Sequence, residues 1–179
     1  FSRRTPFAYR CYIEQEGIEF DPRLLNVKVK KTVYLDGYWQ SEGYFKDIES
    51  TIREDLTICP PQDDDNLAIA ERIKSCTAVA VHVRWFDYAE NSKTHNASVS
   101  YYRRALELIK KKVPNPHFFL FSDDPTAARG KIDLTGLPVT FINHNKGDGN
   151  AYADMWLMSL CRHFITANSS FSWWGAWLS

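Results

Sequence analysis

A chain of 179 residues in which 44% of positions are hydrophobic and 15% aromatic carries enough apolar surface to build one well-packed domain, which excludes a disordered chain. Its 22 basic residues balance 22 acidic ones, so no field of one sign points to a nucleic acid or an anionic membrane as partner. Any bound anion must be held by local groups, and no segment reads as a signal peptide or a membrane span.

From Phe1 to Pro61 the pattern is mixed. A short strand is predicted at Lys31–Leu35, followed by an aromatic-rich stretch whose second half places Tyr44, Phe45, Ile48, Ile52 and Leu56 near helical spacing. "CPPQDDDN" then breaks the chain, its prolines and acidic cluster suiting a loop that enters a helix N-terminus. A boundary is drawn there, with residues 1–61 as a connecting segment belonging to an N-terminal domain and residues 62–179 as a separate domain. Beyond it, helix and strand alternate: helix Asn66–Ser75, strand Thr77–Arg84, helix Val99–Lys112, strand His117–Phe121, a short helix from Thr126, strand Val139–Ile142, helix Asn150–Arg162 and strand Phe164–Ala167. Strands alternating with helices predict an α/β fold, a Rossmann-like parallel sheet covered by helices on both faces. The four cysteines show no CxxC spacing and are expected as free thiols in the core, which favours a reducing compartment; their even number leaves a secreted disulfide protein as the alternative. The opening "FSRRTPFAYR" and the apolar ending "SFSWWGAWLS" are read as cut ends of a longer protein.

Ligands of such sheets collect at the carboxyl ends of the strands, so the segments after each strand carry the functional candidates: "HVRWFDY", "SDD", "NHNKGDGN" and "NSSFSWW". Arg84 stands where the first strand leaves the core, suited either to clamp an oxyanion or to pair with Asp87. His82, two residues earlier, points to the same side and taken alone reads as a core histidine. Asn168 or Ser169 is expected to cap the last helix, whose free N-terminus also suits a phosphate. Asp154 shares a helical face with Leu157, Met158 and Cys161. A carboxylate on an apolar stripe needs a partner: either the helix dipole, or a base with two adjacent N–H donors such as guanine. The acidic runs Asp63–Asp65 and Asp123–Asp124 are assigned to helix caps rather than to a metal. No Walker loop, GxGxxG, GxSxG, HExxH or zinc spacing is present.

Through "HVRWFDY", "FFLFSDD", "DMWLMSLCRHFITANSSFSWWGAW" and the earlier "YLDGYWQSEGYF", the sequence resembles the alpha-1,2-fucosyltransferases of glycosyltransferase family 11 from about Lys31 to its last residue. The family's first motif is HxRRxD; His82, Arg84 and Asp87 match it, and Trp85 replaces the second Arg. The resemblance implies that this chain is the C-terminal, donor-binding domain of an inverting GT-B enzyme that needs no metal. It implies Arg84 on the β-phosphate of GDP-fucose, His82 and Asp154 on the guanine, and Ser169, Ser170 and Phe171 against the diphosphate. The expected reaction moves L-fucose to a hydroxyl, the 2-OH of galactose, on a glycan acceptor. Arg84 and the last helix's N-terminus would stabilise charge on the departing GDP, while Asp87 would orient Arg84 or take the acceptor proton. The implied compartment is the cytoplasm for a bacterial member, with or without membrane association, and the Golgi lumen for a eukaryotic one.

Two other readings remain. A non-catalytic nucleotide-sugar or glycan-binding module is suggested by Trp85 and by the missing glycine-rich N-terminal segment of the family; Tyr38 and Trp39 would then stack on sugar faces. A hydrolase built on Ser172 and His163 lacks the glycines of a nucleophile elbow.

Overall fold

The computed structural model describes residues 5–84 and 96–179. It divides into two compact units, Phe1–Leu56 and Thr57–Ser179. The boundary expected at Pro61 falls just after this division, in the irregular stretch 57–62.

In the first unit, β1 (Tyr12–Glu14) pairs in parallel with β2 (Tyr34–Asp36), Ile13 opposite Leu35. At three residues β1 is too short to leave an alternating pattern in the sequence; its central Ile13 is nevertheless fully buried. The chain turns sharply after β2. Gly37 has φ +147°, and a Cβ there would lie 2.5 Å from that of Gln15, so only glycine fits. Gln15 Oε1 accepts the backbone N–H groups of Tyr38 and Trp39 at 2.9 and 3.0 Å, closing the turn. The single helix expected from Tyr44 onward is instead two 3-10 turns, Glu42–Tyr44 and Lys46–Ile48, followed by α1 (Glu49–Asp55). Tyr44 explains the delay: its ring packs 4.9 Å from Phe20 and 5.9 Å from Trp39, and its hydroxyl accepts the Asp21 N–H at 2.8 Å.

The second unit opens with α2 (Asp64–Lys74), whose N-cap Asp63 accepts the Asn66 N–H at 2.9 Å. Asp64 and Asp65 fill its first turn and Arg72 and Lys74 its last, charges that complement the helix dipole. There follow β3 (Thr77–Val83), α3 (Val99–Lys112), β4 (Pro116–Ser122), α4 (Pro125–Lys131), β5 (Val139–Ile142), α5 (Ala151–Ser159), β6 (His163–Ile165) and α6 (Ser170–Trp177). Ser98 caps α3, and Asp124 caps α4 with Pro125 at the first helical position, as the turn-and-cap reading of that segment requires. Helix α5 ends three residues earlier than expected, and β6 begins one residue earlier, at His163 rather than Phe164.

The strands form one parallel sheet in the order β5-β4-β3-β6. Period-2 alternation sorts β3 and β4 between two cores. Ala78, Ala80, Phe119 and Phe121 pack with Ala70 and Ile73 of α2 and with Trp156, Leu157 and Met158 of α5. Val79, Val81, Val83, Phe118 and Leu120 pack with Tyr102 and Leu106 of α3, with Ala128 of α4 and with Ile132 just after it. A strand covered on both faces must be apolar throughout, which is why "AVAV" and "FFLF" read as unbroken runs. The expected Rossmann-like architecture is therefore the observed one.

The cysteine expectation holds only in part. All four thiols are free, but Cys11 and Cys59 are exposed, lying outside both cores, and only Cys161 is fully buried. Burial pushes the Cys161 thiol up to about 12. No helix among the described residues is long and apolar enough to cross a membrane.

Helix α6 reaches α5 through Gly175, where a Cβ would lie 3.1 Å from both Cβ and Cε of Met158. Gly175→Leu should therefore pry the two helices apart at a cost of about 1–3 kcal/mol. The expected reading is a lower urea midpoint with unchanged far-UV circular dichroism; an unchanged midpoint would show that the contact has slack.

Candidate active site

The strand order reverses between β3 and β6: β3, β4 and β5 step outward in one direction, and β6 returns to the other side of β3. Such a reversal opens a crevice outside the carboxyl ends of the two strands. Most of the residues singled out from the sequence lie at this edge.

His82 is the penultimate residue of β3 and only 5% exposed, with its ring 5.5 Å from that of Phe171 in α6. Burial, followed by the charge of Arg84, pushes its pKa down to about 4, so the imidazole is neutral at physiological pH. Its Nδ1 is buried without a hydrogen-bond partner among the described residues. An unpartnered buried nitrogen is costly, and here it adjoins an expected ligand crevice.

Arg84 follows directly after β3. Its Nη1 lies 3.0 Å from Oδ2 of Asp123, at the end of the neighbouring β4. The partner suggested from the sequence, Asp87, lies outside the described residues, as does Trp85. With the Arg84 side chain 42% exposed, this pair adds less than about 1 kcal/mol to stability. Its larger effect is to steady a cation at the crevice.

The crevice's other wall is the turn from β6 into α6. Of the two candidate caps, Ser169 takes the position: its Oγ accepts the Phe171 N–H at 3.3 Å, and Ser170 is the first helical residue. Ser172 is fully buried and donates to the carbonyls of Ser169 at 3.2 Å and Ala167 at 3.5 Å. A hydroxyl spent on backbone carbonyls is no nucleophile, and His163 opens β6 at the strand's opposite end. The hydrolase reading has no site.

Asp154 sits in the first turn of α5, and the partner that its apolar face demanded is Asn145, whose Nδ2 donates to Oδ1 at 2.9 Å. Burial raises the Asp154 pKa to about 6, against the opposing pull of the Asn145 hydrogen bond and of His144. Asn145 in turn pairs with Asn66, which binds Asp63 and His144. Both His144 and Asn145 belong to a segment marked out from the sequence, "NHNKGDGN", although neither was assigned a role there.

Two further residues went unrecognised. The Tyr102 hydroxyl donates to the carbonyl of His82 at 3.0 Å, and the Tyr101 hydroxyl donates to that of Thr166 at 2.8 Å. Adjacent side chains at the start of α3 thus tie the ends of β3 and β6, the two strands that flank the crevice. Their only sequence signal was a pair of tyrosines in a first helical turn, whose hydroxyls need partners if buried. Asp63 and Asp124 cap α2 and α4, Asp64 and Asp65 fill the first turn of α2, and Asp123 pairs with Arg84. Among the described residues no group of three or more His, Cys, Asp or Glu is placed to hold a metal ion.

Comparison with known proteins adds an independent line. The chain is 35% identical over 182 residues to an alpha-1,2-colitosyltransferase of Escherichia coli, a match covering 98% of this chain and 61% of that protein. It is 32% identical over 135 residues to the O-antigen biosynthesis glycosyltransferase WbnK of Escherichia coli, covering 72% of this chain and 42% of that protein. It is also 24% identical over 156 residues to galactoside alpha-(1,2)-fucosyltransferase 1 of Saimiri boliviensis boliviensis, covering 81% and 42%. The chain thus spans between two fifths and about three fifths of these relatives. The family model described as glycosyl transferase family 11 matches residues 12–179, nearly the whole sequence, and this chain belongs to that family.

Proposed function

We propose that this chain is the donor-binding part of an inverting alpha-1,2-fucosyltransferase, which moves L-fucose from GDP-fucose to the 2-OH of a galactose-containing glycan without a metal ion. The observation that carries the reading is the pairing of β3 with β6, which brings the Arg84 end of one strand beside the N-terminus of α6. Together they offer a fixed guanidinium and a helix N-terminus to one anion, the two groups that a diphosphate needs.

In this reading Arg84 binds the β-phosphate, and Ser169, Ser170 and Phe171 line the rest of the diphosphate. The guanine lies between His82 and the Asp154 carboxylate, which accepts its adjacent N1–H and N2–H donors. As the acceptor oxygen bonds to the anomeric carbon, the bond from that carbon to the diphosphate oxygen breaks and its electron pair leaves with GDP. The added charge falls on groups already oriented by Asp123 and by the Ser169 cap, so little reorganisation is needed at the transition state. Asp87 orients Arg84 or accepts the acceptor's proton.

The relative named as a colitosyltransferase supports a second reading of the transferred sugar, colitose in place of fucose. Turnover of the full-length enzyme with each nucleotide-linked sugar, side by side, distinguishes the two.

Calorimetric titration of this chain with GDP should give saturable binding that EDTA does not weaken, with ADP and UDP binding far less. A folded sample that ignores GDP would sink the donor-site reading. In the full-length enzyme, Arg84→Ala should cut kcat by about a hundredfold or more while leaving the melting temperature within a few degrees. Retention of most activity would remove Arg84 from its role. The pH dependence has a definite sign: Asp154 takes up a proton as pH falls through about 6 and then loses acceptor capacity. GDP affinity should hold steady above that value and weaken below it, and Asp154→Asn, titrated in parallel to cancel ionisation of the phosphates, should abolish this component.

A further inference from the structure

Asn66 is only 2% exposed, yet every hydrogen-bonding position of its amide is filled. Its Nδ2 donates to the Asp63 carboxylate, at 2.9 and 3.1 Å from the two oxygens, and to Asn145 Oδ1 at 2.8 Å. Its Oδ1 accepts Asn145 Nδ2 at 2.9 Å and His144 Nε2 at 3.0 Å. The remaining hydrogen of Asn145 Nδ2 goes to Asp154 Oδ1, at 2.9 Å. Two amides therefore stand face to face, each donating to the other, between a carboxylate at either end.

This arrangement has only one internally consistent orientation. An ionised carboxylate accepts and does not donate, so each amide must turn its nitrogen toward its own acid. Flipping either amide would set oxygen against oxygen at two places and nitrogen against nitrogen at a third, around an Asn66 side chain that is itself buried. The orientation fixed at the cap of α2 is thus passed through Asn66 and Asn145 to the first turn of α5. Capping α2 requires only the bond from the Asn66 backbone to Asp63. The side-chain relay must do something else, and its far end is Asp154.

The bond from Asn145 engages one lone pair of Oδ1 and pins the plane of the carboxylate. Asp154 Oδ2 takes no hydrogen bond from a described residue. What remains is one open oxygen and a second lone pair beside it, two adjacent acceptors at a fixed angle. We propose that Asn145, backed by Asn66, is a specificity-determining positioning residue: it aims the Asp154 carboxylate so that a purine with adjacent ring and exocyclic N–H donors is selected over one lacking the exocyclic amine. This rests on the guanine reading given above and assigns the source of its selectivity.

The test compares GDP with inosine 5′-diphosphate, which keeps the ring N–H and lacks the amine. The wild-type chain should favour GDP by about tenfold to a hundredfold, the range for a hydrogen bond to a charged group. Asp154→Ala should bring the ratio close to one. Asn145→Ala should lower it in the same direction, mainly by weakening GDP, whereas a merely structural role would weaken both nucleotides alike. Asn145→Leu, similar in size and without a polar group, supplies a second variant should the alanine form fail to fold, and it also removes the donor. If Asp154→Ala keeps the wild-type ratio, or the wild type shows no preference, the guanine reading falls and this inference with it. If Asp154→Ala loses the preference and folded Asn145 variants keep it, only the positioning role is overturned.

Discussion

The register that sets β3 between β4 and β6 is the constraint on which the candidate edge depends. Val81 stands opposite Leu120 on one side and Ile165 on the other, and the strand is buried from Ala78 to Val83. A slip of one residue would exchange its two faces, sending His82 into the core packed by α3 and α4. The large apolar side chains of β4 oppose such a slip, because Phe119 and Phe121 fill one face while Phe118 and Leu120 fill the other. Packing deep in the sheet therefore decides which way His82 points at its rim and where the Arg84 backbone emerges.

At that rim the physics changes from burial to polar satisfaction. His82 is held neutral by desolvation and by the adjacent guanidinium. Asp154 is buried enough to hold its proton more tightly than a surface carboxylate, yet an amide donor keeps the ionised form within reach near neutral pH. Among the described residues such a site offers a guanidinium paired with Asp123, a neutral imidazole and the Asp154 carboxylate, each in a separate environment. That asymmetry suits a ligand with an anionic end and a base bearing hydrogen-bond donors better than it suits a uniformly charged one.

The fold was legible because parallel strands covered on both faces leave continuous apolar runs, and two of the helices between them, α3 and α4, carry side-chain caps. Val99–Lys112 and Val139–Ile142 match their expected bounds to the residue. The first unit was less legible, since its strands are three residues long and Tyr44 is diverted from a helical stripe by contacts with Phe20 and Trp39. Cys11 and Cys59 are exposed for a related reason: a thiol's preference for burial is statistical, and Cys11 lies in the short first unit while Cys59 lies in the irregular stretch 57–62. At the candidate site, residues that follow strands could be read off directly. Asp123 was placed correctly as part of a turn, but its pairing with Arg84 depends on the adjacency of β3 and β4, which no local pattern encodes.

The supporting residues were the least visible, and their concealment has a physical basis. Tyr101 and Tyr102 each act through one hydrogen bond, and Asn66 and Asn145 through several, to groups as far as 79 positions away in sequence. Such bonds leave no periodicity and require no particular spacing, so composition around each residue looks ordinary. They nonetheless tie together the groups at the carboxyl edge of the parallel sheet. The tyrosine hydroxyls fix the separation of two strand ends through backbone carbonyls, which any residue could supply at those positions. The paired amides fix a carboxylate's orientation through groups that only asparagine or a close analogue provides. The first device therefore constrains α3 alone, while the second constrains α2, the segment after β5 and α5 together, so the amide relay ties the chemistry of the edge more tightly to side-chain identity.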